Sequence, residues 1–219
     1  MKEYGIILDL DGTLWDSSYQ VMEAWNERLS MIPYDKHRMT HPFMCSLMGK
    51  PMDEIAYAFF PDEPKETALH LLDLCMDHEN DYIREHGGKL YDKVLETLAE
   101  LNERYGVYIV SNCQDGYIQA FLEYFDAGRY ISDFESFGVT GLQKEDNIKL
   151  IMERNGLKGA LYAGDTAGDM NSTLLAGIPF VWASYGFGEV DTDKCSAVIG
   201  SFDELPDAAD RIFENVVNY

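Results

Sequence analysis

The chain has 219 residues, 46% of them apolar, and its 39 Asp and Glu against 17 Lys and Arg give a formal charge of −22. That field repels polyanions, which excludes nucleic acid and anionic membranes as partners and leaves any anionic substrate needing a local positive field. No apolar run approaches the ~20 residues of a membrane span. Cys45, Cys75, Cys113 and Cys195 form no C-x-x-C pair, which fits a reducing cytoplasmic setting with neither zinc nor disulfides. Strand-like sequence follows directly on Met1-Lys2-Glu3, so no signal peptide is expected.

Tyr4 to Leu8 is an apolar run ending in Asp9-Leu10-Asp11-Gly12-Thr13, the pattern of a buried parallel strand with acids at its carboxyl end. Open α/β sheets place their ligand sites at that end. The strand signal then lapses from Asp16 to Gly88. Val21, Ala24, Trp25, Arg28 and Leu29 form a helical stripe, as do Met52 to Phe60 and the run from Ala68 through Leu71, Leu72, Cys75 and Met76 to about Tyr82. His86-Gly87-Gly88 closes this stretch like a hinge or a helix end. Residues 16–88 therefore resemble a helical insertion, with 1–15 and 89–219 forming the other unit.

Beyond Lys89 the pattern alternates. Tyr91, Val94, Leu95, Leu98 and Leu101 share a helix face that Gly106 is expected to end. Val107 to Val110 is a short strand stopping at Ser111-Asn112, followed by a helix with Ile118, Phe121 and Leu122. Ile131 to Gly141 is mixed. A helix begins near Lys144, a strand runs from Leu161 to Ala163 into Gly164-Asp165, and a helix from about Gly168 to Ala176 precedes a strand at Ile178 to Trp182. Ser201-Phe202-Asp203-Glu204 has the form of a capping box opening a last helix with Leu205, Ala209, Ile212 and Val216. Alternating strands and helices predict an α/β fold with a doubly wound parallel sheet, whose right-handed crossovers bring the strand ends to one edge.

Three strands thus end in polar groups, namely Asp9 and Asp11, Ser111 and Asn112, and Asp165 with Asp169, and Lys144 opens a helix between the last two. These motifs resemble those of the haloacid dehalogenase superfamily of phosphohydrolases. The likeness covers the whole chain: Asp9-x-Asp11-Gly12-Thr13, Ser111 at a strand end, Lys144, and Gly164-Asp165-x-x-x-Asp169. The insertion resembles the α-helical cap of the phosphoglycolate-phosphatase-like members.

The resemblance implies a Mg²⁺-dependent phosphatase acting on a small phosphorylated metabolite, as a monomer or small homo-oligomer. A phosphate dianion resists an anionic nucleophile, so Asp9 must attack in line with its charge offset by the metal. The aspartyl-phosphate splits one hard step into two. Asp11 would protonate the leaving alkoxide and then deprotonate water, with the neighbouring carboxylate raising its pKa. Asp9, the backbone carbonyl of Asp11 and Asp165 would hold Mg²⁺, with Thr13 behind them and Asp169 orienting Lys144 or a metal-bound water. Ser111 and Lys144, joined by Asn112, would hold the phosphoryl oxygens. Met48-Gly49-Lys50-Pro51 resembles the family's specificity loop, from which Lys50 would reach the substrate.

Plainer readings stand beside these. Asp165 and Asp169 suit a helix N-cap and first turn, and Ser111-Asn112 suit a helix cap. Lys149 competes with Lys144, though its place within the helix marks a solvated lysine. Met48 to Pro51 reads equally as a turn, Tyr185-Gly186-Phe187-Gly188 as a flexible loop, and the five histidines as surface residues. A phosphomutase shares the chemistry, but Tyr19 to Trp25 lacks the histidine that the family's sugar phosphomutases carry before an Ala-Trp pair. A phosphonate hydrolase would need a Schiff-base lysine from the insertion, for which Lys50 is a weak candidate. The dehalogenases lack the second aspartate, and a phospho-acceptor module would carry no insertion.

Overall fold

The computed structural model describes residues 2–217. Its elements in chain order are β1 (Tyr4–Leu8), β2 (Trp15–Asp16), α1 (Ser18–Met31), α2 (His41–Leu47), α3 (Met52–Phe59), α4 (Lys65–His86), β3 (Lys89–Leu90), α5 (Val94–Arg104), β4 (Gly106–Ser111), α6 (Tyr117–Tyr124), β5 (Asp133–Ser136), α7 (Phe137–Thr140), α8 (Lys144–Arg154), β6 (Gly159–Gly164), α9 (Ala167–Ala176), β7 (Phe180–Ala183), β8 (Ala197–Ile199) and α10 (Leu205–Val217).

Six strands form one sheet in the order β5-β4-β1-β6-β7-β8, every pair parallel. This is the doubly wound α/β fold expected from the alternation. Because β1 lies between β4 and β6, the polar stops after Leu8, Val110 and Gly164 fall on adjacent strands at one edge. Side chains alternate along β1. Ile6 and Leu8 join an apolar cluster on one face, while Ile7 joins Val110, Ile148 and Phe180 on the other. Both faces are covered by helices, which is why β1 reads as an unbroken apolar run.

β2 and β3 form a two-residue antiparallel ladder, Trp15 opposite Leu90 and Asp16 opposite Lys89, and α1 to α4 lie between them in sequence. Trp15 is fully buried against the rings of Tyr117, Phe121 and Phe125. The apolar cluster on this face runs from Ile6 and Leu8 through Trp15 to Trp25, Phe59 and Leu72. The long α4 ends at Gly87, whose φ of 65° and N–H bond to the Ile83 carbonyl break the helix there.

Several local expectations are corrected. Gly106 opens β4 instead of ending α5. Tyr91 precedes α5; its N–H bonds the Leu14 carbonyl at 3.1 Å and its ring packs on Tyr185. The mixed stretch resolves into β5 and the single-turn α7, while α2 and β8 have too few residues to show a period. Strand β7 starts at Phe180, after Pro179, which has no N–H to offer a ladder. The box at Ser201 does not form. Glu204 instead accepts from the Gly200 N–H at 2.8 Å and Ser201 Oγ donates to Asp203 at 2.6 Å, because the first turn there is a tighter 3₁₀ turn. Val216 lies in α10, but its side chain falls outside the described part. Among the described residues no helix is long and apolar enough to cross a membrane.

Candidate active site

Asp9 follows β1 directly, its N–H bonded to the Ala163 carbonyl at 2.9 Å, so the backbone of β6 fixes where its carboxylate emerges. Asp165 follows β6 in the same way. Asp169 is the third residue of α9, where a capping box forms: Thr166 Oγ1 accepts from the Asp169 N–H, and Asp169 Oδ2 accepts from the Thr166 N–H at 2.9 Å. The plainer reading of Asp169 as a first-turn acid is therefore correct, and its other oxygen serves the site. Oxygens of Asp9, Asp165 and Asp169, all buried, lie within 4.8 Å of one another.

Lys144, at the start of α8 and buried, donates to Asp9 Oδ1 at 2.9 Å and to Asp169 Oδ1. Lys149 is exposed beside Asp146, whereas Lys144 lies among the carboxylates. Burial alone would lower the Lys144 pKa, but Asp169 and Asp9 outweigh it and keep the ammonium charged. Burial likewise works to raise Asp169, and Lys144 with the Thr166 donors overcomes it, so this carboxyl sits below its ordinary range. Asp9 and Asp165 are both pushed upward, by burial first and then by the charge of Asp169.

Asp11 takes its hydrogen bonds from outside this group. Its Oδ1 accepts from Ser17 Oγ at 2.5 Å and from Tyr117 Oη at 2.9 Å, and Tyr117 also bonds Ser17 at 2.8 Å. Its pKa is raised to about 6, with burial as the main cause and the Ser17 and Tyr117 donors opposing it. The sequence alone points to the neighbouring carboxylate as the cause. In the structure that role falls to desolvation, and the carboxylate that adds to it is Asp16.

Ser111 is buried at the end of β4 and lines the same cavity as Asp9, Asp11 and Lys144. Asn112 reaches the Gly49 carbonyl at 3.5 Å, tying the loop between α2 and α3 to the sheet edge. Gly49 has a φ of 78°, and a Cβ there would stand 3.0 Å from Thr166, so this loop lies over the segment joining Asp165 to Asp169. Lys50 is exposed at the cavity mouth. Thr13 is fully buried; its carbonyl accepts from Tyr185 Oη at 2.8 Å and its hydroxyl lacks a partner among the described residues.

Other contributors carry no local signal in the sequence. Tyr162 Oη bonds the Val110 carbonyl at 2.7 Å and lies 3.3 Å from Asp9 Oδ1. The Tyr185 to Gly188 loop, expected to be flexible, is pinned. Phe187 N–H donates to Asp165 Oδ2 at 2.7 Å, and a Cβ on Gly186 would fall 2.3 Å from Asp165 Cβ. The glycine pair there was the available clue, read as mobility when it reflects close approach.

Three buried carboxylates facing one ammonium leave excess negative charge in a dry site, which is unstable without a further cation. Asp165 Oδ1 is buried with no donor. The clustered oxygens of Asp9, Asp165 and Asp169 are hard carboxylate ligands, the kind that a small divalent cation such as Mg²⁺ takes. The residues present fit such an ion.

This edge-of-sheet site defines a class, and comparison with known proteins gives the same class. The family profile of the haloacid dehalogenase-like hydrolases matches residues 6–183, and the chain belongs to that family. Within it the chain is similar to phosphoglycolate phosphatases, and by class it is a phosphatase. The phosphoglycolate phosphatase of Mesorhizobium japonicum is 28% identical over 213 residues, covering 91% of this chain and 92% of the relative. That of Shigella boydii is 27% identical over 236 residues, covering 92% and 90%. Among solved structures, a haloacid dehalogenase-like family protein from Streptococcus pneumoniae superposes with a TM-score of 0.78 at 21% identity, covering 93% of this chain and 96% of that one. CbbY from Rhodobacter sphaeroides, in complex with phosphate, gives 0.79 at 15%, covering 94% and 96%. At such identities the superpositions speak for the fold alone.

Proposed function

We propose that the protein hydrolyses small phosphate monoesters with Mg²⁺, passing the phosphoryl group through Asp9. The observation that carries this reading is the buried trio of Asp9, Asp165 and Asp169 around one lysine, with Asp165 Oδ1 unpartnered. Asp9, Asp165 and the Asp11 carbonyl would hold the cation, whose charge offsets repulsion between carboxylate and phosphate dianion.

An Asp9 oxygen attacks phosphorus as the bond to the ester oxygen breaks. Asp11, raised to about 6, gives its proton to the departing alkoxide. In the second half Asp11, now a carboxylate, takes a proton from water as that water displaces phosphate from Asp9. Ser17 and Tyr117 hold Asp11 in one rotamer through both halves. Lys144 has three N–H bonds and gives two to Asp9 and Asp169, which leaves one for a phosphoryl oxygen beside Ser111 and Asn112. Asp169 positions Lys144, and the Tyr185 contact to Thr13 steadies the turn that carries Asp11. Lys50 at the mouth gives the incoming dianion an attractive charge within a strongly acidic molecule.

Residues 16–88 act in this reading as a cap rooted in the β2/β3 ladder, and 1–15 with 89–219 as the core. A cap over the site limits substrates to small molecules and excludes bulk water. The test is inorganic phosphate release from a panel of esters with Mg²⁺ and with EDTA. Release that needs Mg²⁺, is abolished by Asp9→Asn, and leaves trapped phospho-enzyme in Asp11→Asn supports the proposal. No release from any ester would sink it.

A further inference from the structure

The cavity over Asp9 extends into the helical segment, and there its wall is apolar: Val21, Trp25, Leu47, Met48, Met52 and Ile55 line it. Two charged residues of that segment reach the cavity. Lys50 is exposed on the loop after α2, whereas Glu79 is buried in the middle of α4. Its carboxylate accepts from Trp25 Nε1 and from Gln114 Nε2, the latter at 3.0 Å. A carboxylate has about four lone-pair positions, so both oxygens retain acceptor capacity toward the cavity.

An acid is a costly choice for holding Trp25 and Gln114. Both neighbours are N–H donors, and a glutamine carbonyl could accept from them without burying a charge. Burial indeed pushes Glu79 up to about 7. The charge gains a use when a ligand supplies a donor. The cavity volume is about 60 Å³, a few waters' worth where one water needs about 10–15 Å³, so the ligand is compact.

We propose that Glu79 selects phosphate monoesters whose alcohol part is small, largely apolar and free of a second anion, and that an ammonium at its far end is favoured. This rests on the phosphatase reading and narrows its substrate class. A carboxylate-bearing ester such as phosphoglycolate, for which the similar phosphatases are named, would place like charge beside Glu79 within an apolar wall. Lys50 does not cancel that repulsion, since its ammonium stands in water at the mouth, where salt screens it.

The test compares kcat/KM of the intact protein with Mg²⁺ for propyl phosphate, phosphoethanolamine and 2-phosphoglycolate, with p-nitrophenyl phosphate as a general reporter. At about pH 9, where Glu79 with its pKa near 7 is ionised, wild type should favour propyl phosphate and phosphoethanolamine over phosphoglycolate by roughly 30–100-fold, the factor for unit charges about 6–8 Å apart at an effective dielectric of about 20. Glu79→Gln should raise the ratio of phosphoglycolate to propyl phosphate and lower that of phosphoethanolamine to propyl phosphate. A purely structural role would shift all three esters together and leave both ratios in place. Phosphoglycolate equal to or better than the others in wild type overturns the proposal, as do unchanged ratios in the variant. If the variant does not fold, the wild-type ranking alone decides. Turnover of p-nitrophenyl phosphate with the ranking reversed refutes only the selectivity, whereas no turnover of any ester removes the phosphatase reading as well.

Discussion

Lys144→Met removes the ammonium that sits among three buried carboxylates while leaving an unbranched side chain one atom shorter. At the 2.9 Å separation of Lys144 Nζ from Asp9 Oδ1, Coulomb's law with an effective dielectric of about 20 gives about 6 kcal/mol of attraction. The Asp169 pair adds a comparable amount, and the desolvation of the ammonium, relieved in the variant, offsets part of both. Removing one partner of a buried pair costs about 3–5 kcal/mol net. For a chain of this size, each kcal/mol moves Tm by about 2–4 °C, so thermal unfolding in EDTA near pH 7.5 should show a fall of roughly 6–20 °C. The pH dependence has a definite sign. In wild type Asp169 is held low, so its contribution is present above its unfolded pKa and lost only as pH falls through the depressed value. Without the ammonium, Asp169 rises above the unfolded carboxyl value of about 3.9, and Asp9, already raised beside Lys144, rises further. Their folded forms then bind protons that the unfolded chain does not, and the variant gains stability as pH falls. The gap in Tm should therefore narrow between pH 8 and pH 5. A Tm within about 2 °C of wild type, on the scale just given, or a gap that widens on acidification, would refute the assignment.

Tyr117→Phe removes a donor that favours the Asp11 carboxylate, so Asp11 should titrate above about 6 and the limb of the kcat/KM pH profile that reports it should move alkaline. An unmoved profile contradicts the contact. Gly186→Ala places a methyl group 2.3 Å from Asp165 Cβ and 2.5 Å from the Gly12 carbonyl; overpacking of this kind costs about 1–3 kcal/mol. Weaker Mg²⁺ activation together with a lower Tm is expected, and wild-type values for both would show that the loop is slack. Asp9 and Asp165 are both raised, so the metal-free protein should lose stability as pH rises from about 4 toward neutrality. Because binding requires their deprotonated forms, Mg²⁺ should raise Tm more at pH 8 than at pH 5, and equal increments at both would argue against these ligands.

Legibility divides along a physical line. Asp9, Ser111 and Asp165 each end an apolar run, and a strand's polar stop is a local signal. Parallel topology then carries those stops to one edge, so the heart of the site was readable once the α/β alternation was recognised. Lys144 was legible for the same reason, as the residue that opens a periodic helix. Short elements such as α2 and β8 escaped because a period needs more residues than they have.

The acidic motif, the order of strands and helices and the long helical insertion are properties of neighbouring residues, and the sequence by itself determined them. Tertiary structure alone decided what surrounds each acid. Tyr117 meets Asp11 across 106 positions, Tyr162 meets Asp9 across 153, and Glu79 meets Trp25 across 54. Hydrophobic periodicity states that a face is buried but not which distant side chain it will touch. That choice is made when helices pack on the sheet and exclude water, and the same exclusion sets the charge state of the aspartates.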